Sequence, residues 1–345
     1  MLFFQTLFQR MPNNENRQII GNQTELGKAF EYACADVIVS HASDEIHVEL
    51  LESAPVKTAR RYFSYLDSVE KVNFRKGALA AIRVIKRFEP NLFNGSDTLS
   101  VCLQTDSQGM AGDVRDVLCT RKGWTIGLSC KHNHEAVKHS RLSDRIDFGQ
   151  EWFEIPCSNH YFSEIRKVFM PLRHLRDERL EADRHKPALW SEIPDKENLC
   201  YVPVLTAFME ELRRLDAEHP RIIPERLIRY LIGRNDFYKV IMNESRHYTQ
   251  IEAININGTL NKRYQNKRSL VDVPRLKMPT KFYEIGFKEG SKNTIYVVCD
   301  GGWNVSMRIH NASSRVEPSL KFDVQLLAMP SSILTQIEPW ESDRF

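Results

Sequence analysis

Near its N-terminus the chain has no glycine-rich loop opening a helix, and it has no Cys-x-x-Cys pair and no internal repeat anywhere. No apolar run approaches the ~18 residues that a membrane-spanning helix needs. Each absence excludes something. The seven cysteines (Cys34, Cys102, Cys119, Cys130, Cys157, Cys200, Cys299) are odd in number and scattered. That excludes a disulfide framework and suits a reducing cytoplasm, with most of the thiols acting as small buried apolar groups. Charge of one sign is also lacking: 48 Lys and Arg against 45 Asp and Glu leave +3. Affinity for nucleic acid must therefore come from clustering rather than overall sign. The opening MLFFQTLFQR lacks the basic start and small-residue cleavage site of a signal peptide. Because Met11 begins an equally good start, residues 1–10 are read as a start-site extension without function.

What is present is an ordinary globular composition, 345 residues with 42% apolar and 27% charged, enough for one large or two intimate domains. Helical patterns run from Asn22 or Thr24 through GKAFEYACADVIVSHA, then through TARRYFSYLDSVEKV and KGALAAIRVIKRF. DTLSVCLQ, DVRDVLCTR and WTIGLSCK alternate like strands, with GMAG as a turn. NHEAVKHSRLSDRI is expected to be helical, as is most of the stretch from Phe162 to Arg246. Beyond it YTQIEAININGTL, KFYEIGFKEG, NTIYVVCD, WNVSMRIH and LKFDVQLL read as strands. The expected class is α/β (α+β): residues 11–160 forming the core that carries the chemistry, a helical region at 161–245 and a β-rich region at 246–345.

The chemistry concentrates in IGLSCKHNHEAVKH, residues 126–139. If Lys122-Gly123 is a two-residue hairpin loop, residues whose numbers sum to 245 lie opposite each other. Asp116 then opposes Ser129 and shares a face with it and with Lys131. Asp113 would lie opposite His132 and face away; a loop one residue longer would reverse the preference, so Asp113 stays as the alternate. A carboxylate, a lysine and the Cys130 carbonyl form a kit for phosphodiester hydrolysis around Mg²⁺, a hard cation needing few protein carboxylates. An Asp–Lys pair on adjacent strands also occurs as a plain surface ion pair worth under ~1 kcal/mol. The phosphodiester reading gains from the basic helix expected next, whose N-terminal amides and Lys138, His139, Arg141 and Arg145 suit anions. His134, Lys138 and Arg141 would share one face of it toward a phosphate backbone.

The letters HNH do not make an HNH nuclease, whose motif residues are dispersed over a ββα unit. Zinc on Cys119, Cys130, His132 and His134 lacks a finger-like spacing, and Cys130 should face away from Ser129.

GDVRDVLC, IGLSCKHNHEAVKHSRLS and RIHNASSRVEPSLKFD together resemble the HaeIII family of type II restriction endonucleases, and Asp…Ser-x-Lys resembles the wider PD-(D/E)xK nuclease superfamily. The resemblance spans most of the chain beyond residue 11. It implies a restriction-endonuclease-like core, a mixed sheet flanked by helices, and a Mg²⁺-dependent enzyme cutting double-stranded DNA at GGCC between its central G and C. It makes Asp116 the metal-binding acid and Lys131 the catalytic lysine. Ser129 departs from the pattern, which has Asp or Glu there; the substitutes are Glu31 and Glu135, with Asp144 a third. The implied metal set is Asp116, Glu31, Asp113 and Cys130. His132, Asn133, His134, Lys138, His139 and Arg141 would meet DNA beside the site. In the C-terminal segment, Arg308, His310, Asn311, Ser313, Arg315 and Lys321 offer donors to guanine. A palindrome is matched by a two-fold homodimer, although a monomer also serves a short site, and a cognate methyltransferase is expected as a genetic partner. The rivals are a DNA cytosine methyltransferase, for which Pro156-Cys157 mimics the nucleophile motif, and a DNA-binding protein without catalysis.

Overall fold

The computed structural model describes residues 23–41, 46–105, 113–133, 140–263, 269 and 271–340. Three helices come first: α1 (Gln23–Ser40), α2 (Ala54–Tyr65) and α3 (Ser68–Phe88). Local sequence explains their ends. Ser53 caps α2, with Pro55 in its first turn, and Asp67 with Glu70 forms a reciprocal capping box on α3. The buried faces of all three helices contribute to one apolar core, including Phe30, Cys34, Phe63, Phe74 and Ile85. That core lies against a seven-stranded sheet.

The sheet runs β1 (Val48–Leu50), β2 (Leu99–Leu103), β3 (Val117–Arg121), β4 (Trp124–His132), β6 (Phe237–Asn243), β7 (Tyr248–Ile254), β12 (Thr335–Pro339), in that spatial order. It is mixed: β1 with β2 and β4 with β6 are parallel, the rest antiparallel. Between β4 and β6 the chain leaves to build a second layer. That excursion carries β5 (Arg141–Leu142) and the helices α4 (Phe148–Phe153), α5 (Asn159–Ala182), α6 (Val202–Glu218) and α7 (Ile222–Ile232). After β7 come β8 (Phe282–Phe287), β9 (Thr294–Cys299), β10 (Asn304–His310) and β11 (Leu320–Ala328), which with β5 make an antiparallel sheet in the order β5-β11-β10-β9-β8. The second core, with Trp152, Phe208, Trp303 and Phe322, also takes in Phe237 and Ile254 of the first sheet.

Three expectations need correction. Helix was expected through residue 246, yet FYKVIMN is β6, a strand buried on both faces. Such strands read as continuous apolar runs without the alternation that marks a half-exposed one. The division expected at 245 falls in the turn of the β6–β7 hairpin, inside one sheet. Helix was also expected from 133 to 146, but Arg141–Leu142 pairs with Leu320–Lys321 of β11 and Leu142 enters the second core. Pairing and burial outweigh helix propensity there. GMAG lies outside the described residues.

Candidate active site

The β3–β4 hairpin has the two-residue loop and the register that the sequence implies. Arg121 pairs Trp124, Val117 pairs Leu128, and Gly123 takes φ 71° in the turn. Asp97 fixes the turn through Arg121 at 3.0 Å and the Lys122 amide at 3.3 Å. The ladder ends just above Val117, where the Asp116 amide donates to the Leu128 carbonyl at 2.7 Å. Beyond that point β4 continues alone on this side, and the open edge is where the ionisable groups gather.

Asp116 Oδ2 accepts a hydrogen bond from the Cys130 amide at 2.7 Å and lies 3.5 Å from Lys131 Nζ. Glu31 of α1 faces the same place. It is only 6% exposed and takes a hydrogen bond from Lys28 Nζ at 3.1 Å. Burial, then the Asp116 charge, push the Glu31 carboxyl up to about 8, against the pull of Lys28 and Lys131. Burial works to lower Lys131, but Asp116, Cys130 and Glu31 outweigh it and hold the ammonium above its ordinary value. The site is therefore two carboxyl groups crowding each other, one of them strongly desolvated, beside a protonated lysine.

Asp113 is not in this group. Its carboxylate is bidentate to Arg115, at 2.7 Å to both Nε and Nη2. Burial raises the Asp113 carboxyl, but the Arg115 hydrogen bonds outweigh it and leave it below the usual range. Arg115 in turn lies over Gly127, where a Cβ would stand 2.1 Å from its Cδ, so the glycine makes room for the arginine. The Cys130 thiol points into the core, where a hydrogen bond with Cys34 and burial push its pKa up; only its backbone is at the edge. Ser129 is buried. Among the described residues, no three His, Cys, Asp or Glu side chains assemble into a metal cluster; His134 of the zinc alternative lies outside them.

His132 is 4% exposed, packs on Phe74 with ring centroids 5.1 Å apart, and places Nε2 3.1 Å from Glu244 Oε2. It belongs to the interior rather than to a DNA-facing surface. Asn133 ends β4 at φ 51°, its side-chain oxygen accepting from the Glu244 amide at 3.1 Å. His134, Glu135, Lys138 and His139 lie outside the described residues. Asp144 is ion-paired to Arg173. Cys157 accepts from the Gly149 amide at 3.2 Å, and burial followed by Asp147 drives its thiol pKa far up, which disarms it as a nucleophile.

On the second sheet, alternation sorts the C-terminal candidates. Val305, Met307 and Ile309 of β10 and Leu320, Phe322 and Val324 of β11 enter the core. The outward face then carries Arg308 and His310 beside Lys321 and Asp323, with Arg141 opposite Lys321. Asp323 holds Arg308 at 2.8 Å and stands 3.2 Å from His310, and Glu317 holds Arg141 at 2.8 Å. Arg315 is exposed. Asn311 and Ser313 already have partners: Asn311 accepts from the Tyr201 hydroxyl and donates to the Ser313 carbonyl, and the Ser313 hydroxyl donates to the Arg315 carbonyl. Sequence reasoning missed Lys28, whose i,i+3 spacing to Glu31 was the available signal. It also missed Arg115 and Glu244, which act through tertiary contacts.

The chain matches the family model described as HaeIII restriction endonuclease over residues 27–330. It is 37% identical over 317 residues to the type II restriction enzyme HaeIII of Haemophilus aegyptius, an alignment covering 91% of this chain and 97% of that protein. No solved structure matches it.

Proposed function

The chain belongs to the HaeIII restriction endonuclease family and is a type II site-specific deoxyribonuclease, and from that premise we propose that it cuts double-stranded DNA at GGCC, between the central G and C, with Mg²⁺ held by Asp116 and Glu31. The observation that carries this reading is the convergence of Asp116, Glu31 and Lys131 at the open edge of β4. In the PD-(D/E)xK pattern an acid stands where this chain has Ser129; Glu31 takes that acid's part from α1, with Glu135 the alternative.

The residues fit the ion. Two oxygen donors crowd one another, and desolvation has left Glu31 short of the positive charge that would keep it ionised. Mg²⁺ prefers oxygen, keeps several waters and asks for only one or two carboxylates besides substrate phosphate. The Cys130 carbonyl is proposed as a backbone ligand. When bound, the ion supplies Lewis acidity to the scissile phosphate and eases loss of a proton from the attacking water.

The chain's own groups do the rest. The Cys130 amide fixes the Asp116 carboxylate, so one oxygen is oriented before substrate arrives. Lys131 is charged and held beside Asp116, placed to orient the attacking water and to offset negative charge growing on phosphorus. Lys28 steadies Glu31. We assign the outward face of the second sheet, with Arg141, Arg308, His310, Lys321 and the neighbouring Arg315, to DNA recognition. A two-fold homodimer suits the palindrome.

Supercoiled plasmid incubated with Mg²⁺ tests the reading, with S-adenosylmethionine in a parallel tube. Discrete fragments whose ends map to GGCC support it. Methyl transfer, retardation without cutting, or ends at another sequence overturn it.

A further inference from the structure

Away from the carboxylates, four arginines converge on a cavity of about 540 Å³ beside α7: Arg221, Arg226, Arg229 and Arg234, against Glu154 and Glu225. The positive excess is built in. Arg226 donates to the Phe153 carbonyl, and Arg229 is held by Glu225 at 2.8 Å and Asn257 at 3.1 Å, so two guanidinium groups are fixed in place. Glu154 lies 3.8 Å from both Arg226 and Arg234, too far for a hydrogen bond to either. Among the described residues, the Arg221 side chain makes no hydrogen bond or ion pair. Trp152, stacked on Tyr230 at 4.6 Å, also lines the cavity.

Gly233, next to Arg234 of the cavity, abuts the segment that leads into β3. A Cβ on Gly233 would stand 2.8 Å from Val114, two residues before Asp116. Tyr230 shares a hydrogen bond of 3.0 Å with Ser140. From residue spans alone, the Cα of Arg234 lies within roughly 20 Å of that of Asp116. Base pairs rise about 3.4 Å, so a duplex running from Asp116 and Lys131 toward the cavity would span that distance in about six base pairs at most.

We propose that this cavity is a flanking-phosphate site, which takes a phosphodiester of the DNA backbone several base pairs from the cleaved bond. The proposal rests on the DNA-cutting reading of Asp116 and Lys131. Guanidinium groups offer donors and no acceptors, which selects an anion. The concave shape admits a protruding phosphate, whereas reading base edges requires an element that enters the groove. Fixed arginines inside and freer ones at the rim give a contact that positions the duplex without reading sequence.

The test uses the full chain in Ca²⁺, on duplexes centred on its mapped cleavage site with flanks from about two to about ten base pairs. Wild-type affinity is expected to rise roughly tenfold or more as flanks pass about six base pairs. The R221A/R234A double variant is expected to give a flat profile, with a salt slope on the longest duplex smaller by about one. Arg234→Glu, measured the same way, serves if the double variant does not fold. The same flank dependence in variant and wild type overturns the proposal, as does a loss equal at every length. A second arm titrates inorganic phosphate into the DNA-free protein: saturable binding that the variants abolish, without any flank dependence, makes this a small-anion site instead. If the wild type cuts no DNA in Mg²⁺, the functional reading fails; a missing flank dependence removes only the flanking site.

Discussion

Lys131 Nζ stands 3.5 Å from Asp116 Oδ2, across the open edge where β3 has ended and β4 continues. An ion pair on the outside of a hairpin would be solvated and weak. This one sits beside a desolvated third group, Glu31, whose carboxyl is strained by the same Asp116 charge that Lys131 relieves. The three groups act on one another at this edge.

Removing the ammonium removes the charge offset at phosphorus. Lys131→Ala is expected to lower cleavage by at least about 10²–10³-fold while leaving binding to the cognate duplex intact. Gel retardation in Ca²⁺ with single-turnover cleavage in Mg²⁺ measures both. Normal cutting by the variant removes Lys131 from the mechanism.

The two aspartates should separate cleanly. Asp116→Asn is expected to abolish cleavage with little effect on stability. Asp113→Asn breaks a bidentate, half-buried pair with Arg115 and should cost on the order of 1–3 kcal/mol of stability with a smaller loss of rate. Denaturant melts beside cleavage rates give the ranking, and a reversed ranking places the metal acid at 113.

Glu31 sets a pH dependence with a definite sign. Its pKa in the folded chain, about 8, lies above the ordinary 4.5, so folding favours the protonated form. The stability this contributes is fully present below about pH 4.5 and is lost as pH rises through 8. The metal-free protein should therefore melt at progressively lower temperature across that window, as far as this group is concerned. Glu31→Gln should flatten the trend, and Mg²⁺ should bind more tightly as pH rises, since it competes with the proton. Melting curves in EDTA and in Mg²⁺ decide it; an unchanged slope in the Gln variant removes Glu31 as the cause.

His132 should behave as an interior residue. His132→Ala is expected to destabilise the fold by about 2–4 kcal/mol, through lost packing on Phe74 and a stranded Glu244. The salt dependence of DNA binding should not change, because no phosphate contact is lost. A reduced salt slope at unchanged stability would return His132 to the DNA surface.

The hairpin was legible in the sequence because a two-residue loop fixes the register, which runs to Val117 opposite Leu128 with Asp116 the next residue along. Strands β8 to β11 of the second sheet were legible from alternation, since one face is solvated and the other buried. β6 was not: FYKVIMN is covered on both faces and carries no period to read. Arg141 was misread for the opposite reason. Its neighbours favour helix, and only β11, some 180 residues later, makes it a strand. The same limit explains the misplaced His132, whose interior partners Phe74 and Glu244 are brought together by the sheet. The carboxylate facing Lys131 from α1 has no sequence signature beyond its helix, so Glu31 stood in the sequence as one of several candidate acids.

The most direct test of a divalent ion shared by two carboxylates is an anomalous-scattering map from crystals of the chain with cognate DNA and Mn²⁺. The account predicts a peak within about 2–2.5 Å of oxygens from both Glu31 and Asp116, adjacent to the Lys131 amine. A peak on Asp113, or one on Asp116 with Glu31 turned away, would contradict it.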